Sequence, residues 1–121
     1  MHELAVCQAL VGQVSGIAQQ QGAEAATLVR ITVGPLSGVV PALLASAFPL
    51  AAAGSVANNA ELEINASSVR VHCQTCGAET DATANRLLCG VCGDWHTQLI
   101  AGDELILESV ELQMKEELPH V

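Results

Sequence analysis

The sequence predicts an α+β protein in which two helices and a small β-sheet are interrupted by a cysteine-rich loop. Three observations carry that expectation. Apolar residues recur at helical spacing near the N-terminus and again after Pro41, alternating apolar residues mark strands elsewhere, and two Cys-x2-Cys pairs lie between Cys73 and Cys92. A chain of 121 residues has the length of one domain, with room for a small appendage. Half the residues are apolar, but with one Phe, one Trp and no Tyr the core must be built from Ala, Val, Leu and Ile.

From Leu4 to Gln21 the apolar positions Cys7, Leu10, Val11, Val14, Ile17 and Ala18 fall on one helical face, and Gly22 is a natural stop. TLVRITVGP then alternates, with Val29, Ile31 and Val33 on one side, until Gly34-Pro35 ends it. A second helix is expected to start near Pro41, which suits the first helical position because its missing N–H would be unpaired there anyway. Leu43, Leu44, Ala47 and Phe48 give that helix an apolar face, Pro49 should kink or end it, and AAAGSVANN reads as a loop. ELEINA and SSVRVHC alternate in opposite phase about Ser67-Ser68, which predicts a bulge or a break between two strands. After the cysteines, GDELILESVELQM returns to strand, with Ile106, Val110, Leu112 and Met114 expected to close the sheet. The tail EELPHV carries no packing signal.

Charge excludes several functions. The net charge is −9, and the fixed cations are Arg30, Arg70, Arg86 and Lys115. No basic stripe for nucleic acid can be assembled from these, and anionic membrane surfaces are disfavoured for the same reason. An acidic surface suits a basic protein partner or a metal cation. The N-terminus carries Glu3 rather than a basic leader region. The uncharged stretch from Ile31 to Ala60 holds Pro41, Pro49 and Gly54 and lacks flanking Lys or Arg anchors, so it reads as a buried helix and loop rather than a membrane span. A soluble, cytoplasmic protein is expected.

CQTCGAETDATANRLLCGVCG is the strongest local signal. Cys73 and Cys76, then Cys89 and Cys92, form two knuckles, each followed by a glycine that permits a tight turn. Two knuckles complete the tetrahedral S₄ shell that zinc prefers, with no open coordination position, so the expected Zn(II) site is structural. Two disulfides are the competing reading, weakened by the lack of a secretory signal and by the distant fifth cysteine, Cys7. Rubredoxin-type iron takes a similar ligand set, and spacing alone does not separate the two metals. The acidic residues Glu79, Asp81 and Asp94 around the knuckles argue against a nucleic-acid role for this module.

Of the histidines, His72 and His96 flank the cysteine segment as possible accessory groups or ordinary surface residues, and His120 lies in the tail. His2 stands apart by position. The terminal amine of Met1, the His2 amide and the His2 ring Nδ1 can close adjacent chelate rings around one cation, with Glu3 or a water supplying a fourth donor. Such a nitrogen-rich planar set suits Ni(II) or Cu(II) better than Zn(II). A mobile, solvated histidine is the competing reading.

Taken together, these features resemble the HypA/HybF family of hydrogenase maturation factors, the nickel metallochaperones. The residues that carry the resemblance are Met1, His2 and Glu3 ahead of an amphipathic helix, VGPLSGVVP at 33–41, the four-cysteine loop, and GDELILESVEL at 102–112. The resemblance implies two helices packed on a small β-sheet as a nickel-binding domain, residues 1–71 and 98–121, with an inserted zinc-ribbon-like domain at 72–97. It implies nickel at Met1, His2 and Glu3, and zinc at Cys73, Cys76, Cys89 and Cys92. It further implies a non-enzymatic role in which Ni(II) passes, alongside a HypB-type GTPase, to the precursor of the [NiFe]-hydrogenase large subunit. One departure stands out: many members carry a carboxylate near the start of the second helix, where this chain reads Val39-Val40-Pro41-Ala42. A zinc-ribbon interaction module without nickel is the alternative. A hydrolase finds little support, since no nucleophile-base arrangement has recognisable spacing.

Overall fold

The computed structural model describes residues 2–115, with only the helical backbone described for His2. Met1 and the 116–121 tail, with His120, lie outside the described residues. The elements are α1 (His2–Gln21), β1 (Ala23–Val33), α2 (Pro41–Ala52), β2 (Glu61–Ala66), β3 (Val69–Cys73), β4 (Glu79–Ala82), β5 (Thr97–Ala101) and β6 (Leu105–Met114). The strands form two three-stranded sheets, ordered β2-β1-β6 and β4-β3-β5, so the break expected at Ser67-Ser68 is where the chain leaves one sheet for the other.

By contacts the chain divides into two compact units, one of Met1–Ile31, Val40–Glu63 and Leu107–Val121, the other of Thr32–Val39 and Ile64–Ile106. The second is drawn wider than the cysteine loop at 72–97, because β3, β4 and β5 pair with one another and the 32–39 segment groups with them.

In the first unit α1 buries Cys7, Leu10, Val11, Val14 and Ala18, while Ile17 stays half-buried. Gly22, at φ 68°, ends the helix and turns the chain at once into β1, whose Ala26, Val29, Ile31 and Val33 are buried in alternation. β1 therefore starts earlier than the apolar alternation indicates, since Ala23 to Ala26 carry no strong strand signal of their own.

α2 packs on α1 and buries Leu44, Phe48 and Ala52. The Cys7 thiol donates to the Leu44 carbonyl at 3.4 Å, and burial, then the nearby Glu3 charge, push that thiol's pKa up. Pro41 is the first helical residue, as expected, and Pro49 does not stop the helix, which runs on to Ala52. Pro49 and Ala45 are both exposed, so the carbonyl that loses its helical partner faces water. The expectation that the uncharged stretch is buried holds for one face of α2 only.

β6 differs from its sequence pattern. Leu105, Leu107, Val110 and Leu112 are the half-buried positions, whereas Ile106 and Met114 are exposed. The inward phase slips by one residue at Glu108-Ser109, so alternation read back from Val110 and Leu112 places Ile106 on the wrong side, while Met114 keeps the phase but is exposed at the strand's end.

The second unit is closed by a tight crossing. The Gly34 N–H donates to the Glu104 carbonyl at 2.8 Å, and the Leu36 N–H to the Gly102 carbonyl at 2.7 Å. The Glu104 carboxylate accepts from the Ser67 hydroxyl and from the Gly102 N–H, contacts that hold its carboxyl below the usual range. Gly34 sits so close to Gly102 that a Cβ there would collide with the Gly102 carbonyl, and Gly102, at φ 121°, faces the Val69 backbone. No helix among the described residues is long and apolar enough to cross a membrane.

Two glycines should respond oppositely to alanine. Gly34→Ala is expected to lower stability by about 3 kcal/mol or more, because backbone must shift to admit the methyl group. Gly12→Ala, in the middle of α1 with nothing within 4 Å of the added atom, should raise it by about 1 kcal/mol. Denaturant midpoints of the two variants check both signs.

Candidate metal centre

β3 alternates so that Val69, Val71 and Cys73 share its buried face, which carries the Cys73 sulfur inward at the strand's end. The chain then turns through the first knuckle. The Cys73 N–H donates to the Ala78 carbonyl at 2.8 Å, and the Gly77 N–H to the Cys73 carbonyl at 3.0 Å. The second knuckle repeats the pattern, with the Cys89 N–H on the Asp94 carbonyl and the Gly93 N–H on the Cys89 carbonyl, both at 3.0 Å. Gly77 and Gly93, at φ 79° and 76°, supply the left-handed residue that each turn requires.

The two knuckles bring together Cys73, Cys76, Cys89 and Cys92, whose sulfur atoms all lie within 4.8 Å of one another. Cys73 Sγ is 3.6 Å from Cys92 Sγ, and Cys76 Sγ is 3.6 Å from Cys89 Sγ. A tetrahedral ion with metal–sulfur bonds of about 2.3 Å has sulfur–sulfur edges of about 3.8 Å. The donor set fits zinc in number, chemistry and spacing. None of the five cysteines is in a disulfide.

Backbone amides prepare the sulfurs for ionisation. The Cys76 N–H reaches Cys73 Sγ at 3.4 Å, and the Val91 and Cys92 N–H groups reach Cys89 Sγ at 3.3 and 3.5 Å. The Cys76 amide lowers the Cys73 pKa, and the Cys92 and Val91 amides lower Cys89 to about 6. The Asp94 N–H favours the Cys92 thiolate, yet the Cys73 sulfur, desolvation and the remaining sulfurs together push that thiol up to about 12. Cys76 is raised in the same way, with the Ala78 N–H opposed by Cys89, desolvation and Cys73. The amides draw Cys73 and Cys89 toward the thiolate, while neighbouring sulfurs and desolvation hold Cys76 and Cys92 toward the thiol. Only a cation at the centre allows all four to ionise together.

The knuckles are tied to each other by residues that the cysteine spacing does not reveal. Asp94, in the second, accepts from the Thr75 hydroxyl in the first, and also from His96 Nδ1 at 2.9 Å. The Thr75 hydroxyl, then His96, hold the Asp94 carboxyl well below the usual range. The Gln74 N–H donates to the His96 carbonyl at 2.8 Å. Thr80 on β4 accepts the Gly90 N–H at 2.8 Å, and the Thr97 hydroxyl on β5 donates to the Leu87 carbonyl at 2.6 Å. Both sheet neighbours of β3 therefore hold the second knuckle.

His96 is thus an Asp94 partner, stacked on Trp95 with ring centroids 3.8 Å apart. His72 pairs across the sheet with Glu79, Nδ1 to carboxylate at 3.8 Å, as the β3–β4 register dictates. The N-terminal candidates lie in the first unit. Met1 is outside the described residues, and His2 begins α1. Glu3 is buried, and its carboxylate accepts the N–H of Val40, the residue that caps α2 and offers no side-chain cap of its own.

Cys89→Ser should release the bound metal and the amide protection of residues 73–97 while leaving α1 protected, read by elemental analysis and hydrogen exchange. Thr75→Val retains the four sulfurs and should keep the metal but lose it faster to a chelator, because the link to Asp94 is gone. Unchanged release from Thr75→Val would show that link to be idle.

Comparison with known proteins agrees with this geometry along nearly the whole chain. The family model described as "Hydrogenase/urease nickel incorporation, metallochaperone, hypA" matches residues 1–112. The hydrogenase maturation factor HypA of Nitrosospira multiformis is 43% identical over 93% of this chain and 97% of its own length. That of Aquifex aeolicus is 36% identical over 94% and 99%. The solution structure of the Ni metallochaperone HypA from Helicobacter pylori superposes with a TM-score of 0.71 at 26% identity, covering 95% of this chain and all of that one. A second HypA solution structure gives 0.74, also at 26% identity, over 95% of this chain and 98% of that one. The chain belongs to the HypA/HybF family of hydrogenase maturation factors, the nickel-incorporation metallochaperones.

Proposed function

We propose that this protein binds Ni(II) through Met1, His2 and Glu3 and delivers it to the precursor of the [NiFe]-hydrogenase large subunit, alongside a HypB-type GTPase, in the cytoplasm. Nickel is cargo here, and the protein is not an enzyme. In this reading residues 1–71 and 98–121 serve nickel, while 72–97 hold a structural Zn(II) at Cys73, Cys76, Cys89 and Cys92.

The observation that carries the nickel reading is that α1 begins at His2. The first amides of a helix have no intrahelical acceptor. The His2 and Glu3 nitrogens can therefore give up their protons to a metal without breaking the helix. The Glu3 carboxylate accepts the Val40 N–H, which holds residue 3 beside the proposed donors. Three nitrogen donors in adjacent chelate rings, the Met1 amine, the His2 amide and the His2 ring, with a fourth donor from Glu3 or a water, suit the square-planar preference of Ni(II). Such a site can release its cargo stepwise, because each nitrogen that regains a proton frees one bond for a recipient's ligand.

The competing interaction-module reading draws on Val91 and Trp95, about 70% exposed at the second knuckle, a composition suited to a protein contact. It expects zinc, no second metal and no consequence of His2→Ala.

Calorimetry separates the two. The zinc-loaded protein with its native N-terminus is expected to bind one equivalent of Ni(II). Two residues added before Met1, or His2→Ala, should abolish that site and leave zinc in place. Equal nickel binding by native and extended forms overturns the N-terminal chelate. Affinity for nickel should also fall as pH drops through the histidine range, about 6.5, because amine and imidazole must bind nickel deprotonated. Titrations repeated at several pH values check the slope, and a flat profile contradicts the ligand set.

A further inference from the structure

The four sulfurs of the second unit differ in their access to solvent. Cys73 and Cys89, the first cysteine of each knuckle, are 0% and 4% exposed, whereas Cys76 and Cys92 are open to solvent. Two sulfur–sulfur contacts at 3.6 Å, Cys73 to Cys92 and Cys76 to Cys89, each cross from one knuckle to the other. Each also joins a buried sulfur to an exposed one. An oxidant that meets the exposed member of a pair finds a shielded second sulfur directly behind it.

The backbone leaves room for such a pair to close. A disulfide bond is about 2.0 Å long, so a shift of about 1.5 Å brings either pair to bonding distance. Cys73 is held in β3, where it pairs with Thr97 of β5. Cys92 lies in a turn and is followed by Gly93, as Cys76 is followed by Gly77. The exposed sulfur of each pair is therefore the one placed to move. The contact between Thr75 and Asp94 keeps the two knuckles facing each other.

We propose that the four-cysteine centre is a site of reversible oxidation, at which a peroxide forms two cross-knuckle disulfides, Cys73–Cys92 and Cys76–Cys89, that free the metal and keep the unit folded. The exposed Cys92 thiolate attacks one peroxide oxygen, the O–O bond breaks, and a sulfenic acid and hydroxide result. The Cys73 thiolate then attacks the Cys92 sulfur, the S–O bond breaks, and the oxygen leaves as hydroxide. Two protons from solvent turn both hydroxides into water. Each disulfide thus takes two electrons from two sulfurs and reduces one peroxide to two waters. Cys76 and Cys89 follow the same course with a second peroxide.

The pairing matters more than the oxidation. Bonds within a knuckle, Cys73–Cys76 and Cys89–Cys92, would leave the two knuckles without the link that the cation supplies. Bonds across the knuckles replace that link, closing two nested loops, 73–92 and 76–89. Thiol–disulfide exchange lets the pairing that fits the folded unit accumulate. Charge selects the oxidant: a net charge of −9 repels an anionic disulfide but not a neutral peroxide. Cys7 is buried in the first unit and takes no part. The inference rests on the Zn(II) reading of the four cysteines and is independent of the nickel reading.

Titration of the zinc-loaded full chain with hydrogen peroxide, followed by alkylation of free thiols and tryptic mapping, tests it. Trypsin cuts after Arg70, Arg86 and Lys115, so the two knuckles fall on separate peptides, 71–86 and 87–115. The expected product joins these two peptides, with fragmentation placing the bonds at Cys73–Cys92 and Cys76–Cys89 and Cys7 recovered alkylated. One zinc should be released per chain, and a dithiol reductant with added zinc should restore the starting protein. Hydrogen exchange in residues 73–97 of the oxidised, metal-free protein should be slower by roughly tenfold or more than in reduced protein stripped by a chelator. Separate peptides with internal disulfides, bonds at Cys73–Cys89 and Cys76–Cys92, sulfinic acids without disulfides, or exchange as fast as in the stripped protein each overturns the proposal. Elemental analysis before peroxide is added tests the zinc reading by itself. A protein without zinc overturns that reading and the release step, while the disulfide map still decides the pairing.

Discussion

Four sulfur atoms within 4.8 Å of one another set the terms for the second unit. As thiols they attract only weakly, and as thiolates they repel, so their proximity is stable only around a cation. The rest of the unit supplies what the cation cannot. Knuckle amides aim at sulfur, Asp94 and Thr75 join the two knuckles, and Thr80 and Thr97 tie the second knuckle to the strands on either side of β3. Its sheet could not do this by burial alone. β4 and β5 are four and five residues long, and the buried apolar side chains of β3 and the knuckles are Val69, Val71, Cys73 and Cys89. A three-stranded sheet with so small a core needs a further constraint to hold one structure.

The first unit rests on ordinary apolar burial, and its one charged group in the helices has a positional role. Glu3 lies in the first turn of α1 and accepts the N–H of the residue capping α2. A carboxylate at a helix start is favoured by the helix dipole, and here one group serves two helix starts at once. In a capping box the third helical residue reaches back to the cap's own N–H. Glu3 does the same from a neighbouring helix. Beside it, the Cys7 thiol donates to the Leu44 carbonyl and fixes the next turn of the same contact.

What the sequence made legible follows from how local each signal is. The helical face of α1, the start of α2 at Pro41 and the four-cysteine cluster depend on spacing within one segment, and each was readable. The end of α2 was not. Pro49 costs the helix one hydrogen bond, a cost that is smaller where the orphaned carbonyl faces water, and exposure is a tertiary fact. The phase of β6 escaped for a similar reason, since the slip at Glu108-Ser109 leaves no mark in composition. Asp94 was visible as an acid beside a knuckle, but its partner Thr75 lies 19 residues away, and no sequence pattern joins them. The resemblance to the HypA/HybF family reached further than periodicity could, because the order of motifs along the chain carries information that no single motif holds.

The departure at Val39-Val40 shows how the role of a missing side chain at a helix start can be met from a neighbouring helix. Read as a pattern, the start of α2 lacks a carboxylate. Read as a structure, it offers a backbone donor, and the carboxylate comes from α1 instead. A valine at the cap cannot accept hydrogen bonds from the first amides of α2, yet its own N–H, directed at Glu3, still draws negative charge to that end of the helix. The same hydrogen bond pins the start of α1 to the start of α2 through residue 3, immediately after the residue whose imidazole and amide are the proposed nickel donors. The N-terminal segment is thereby attached to a fixed point at residue 3.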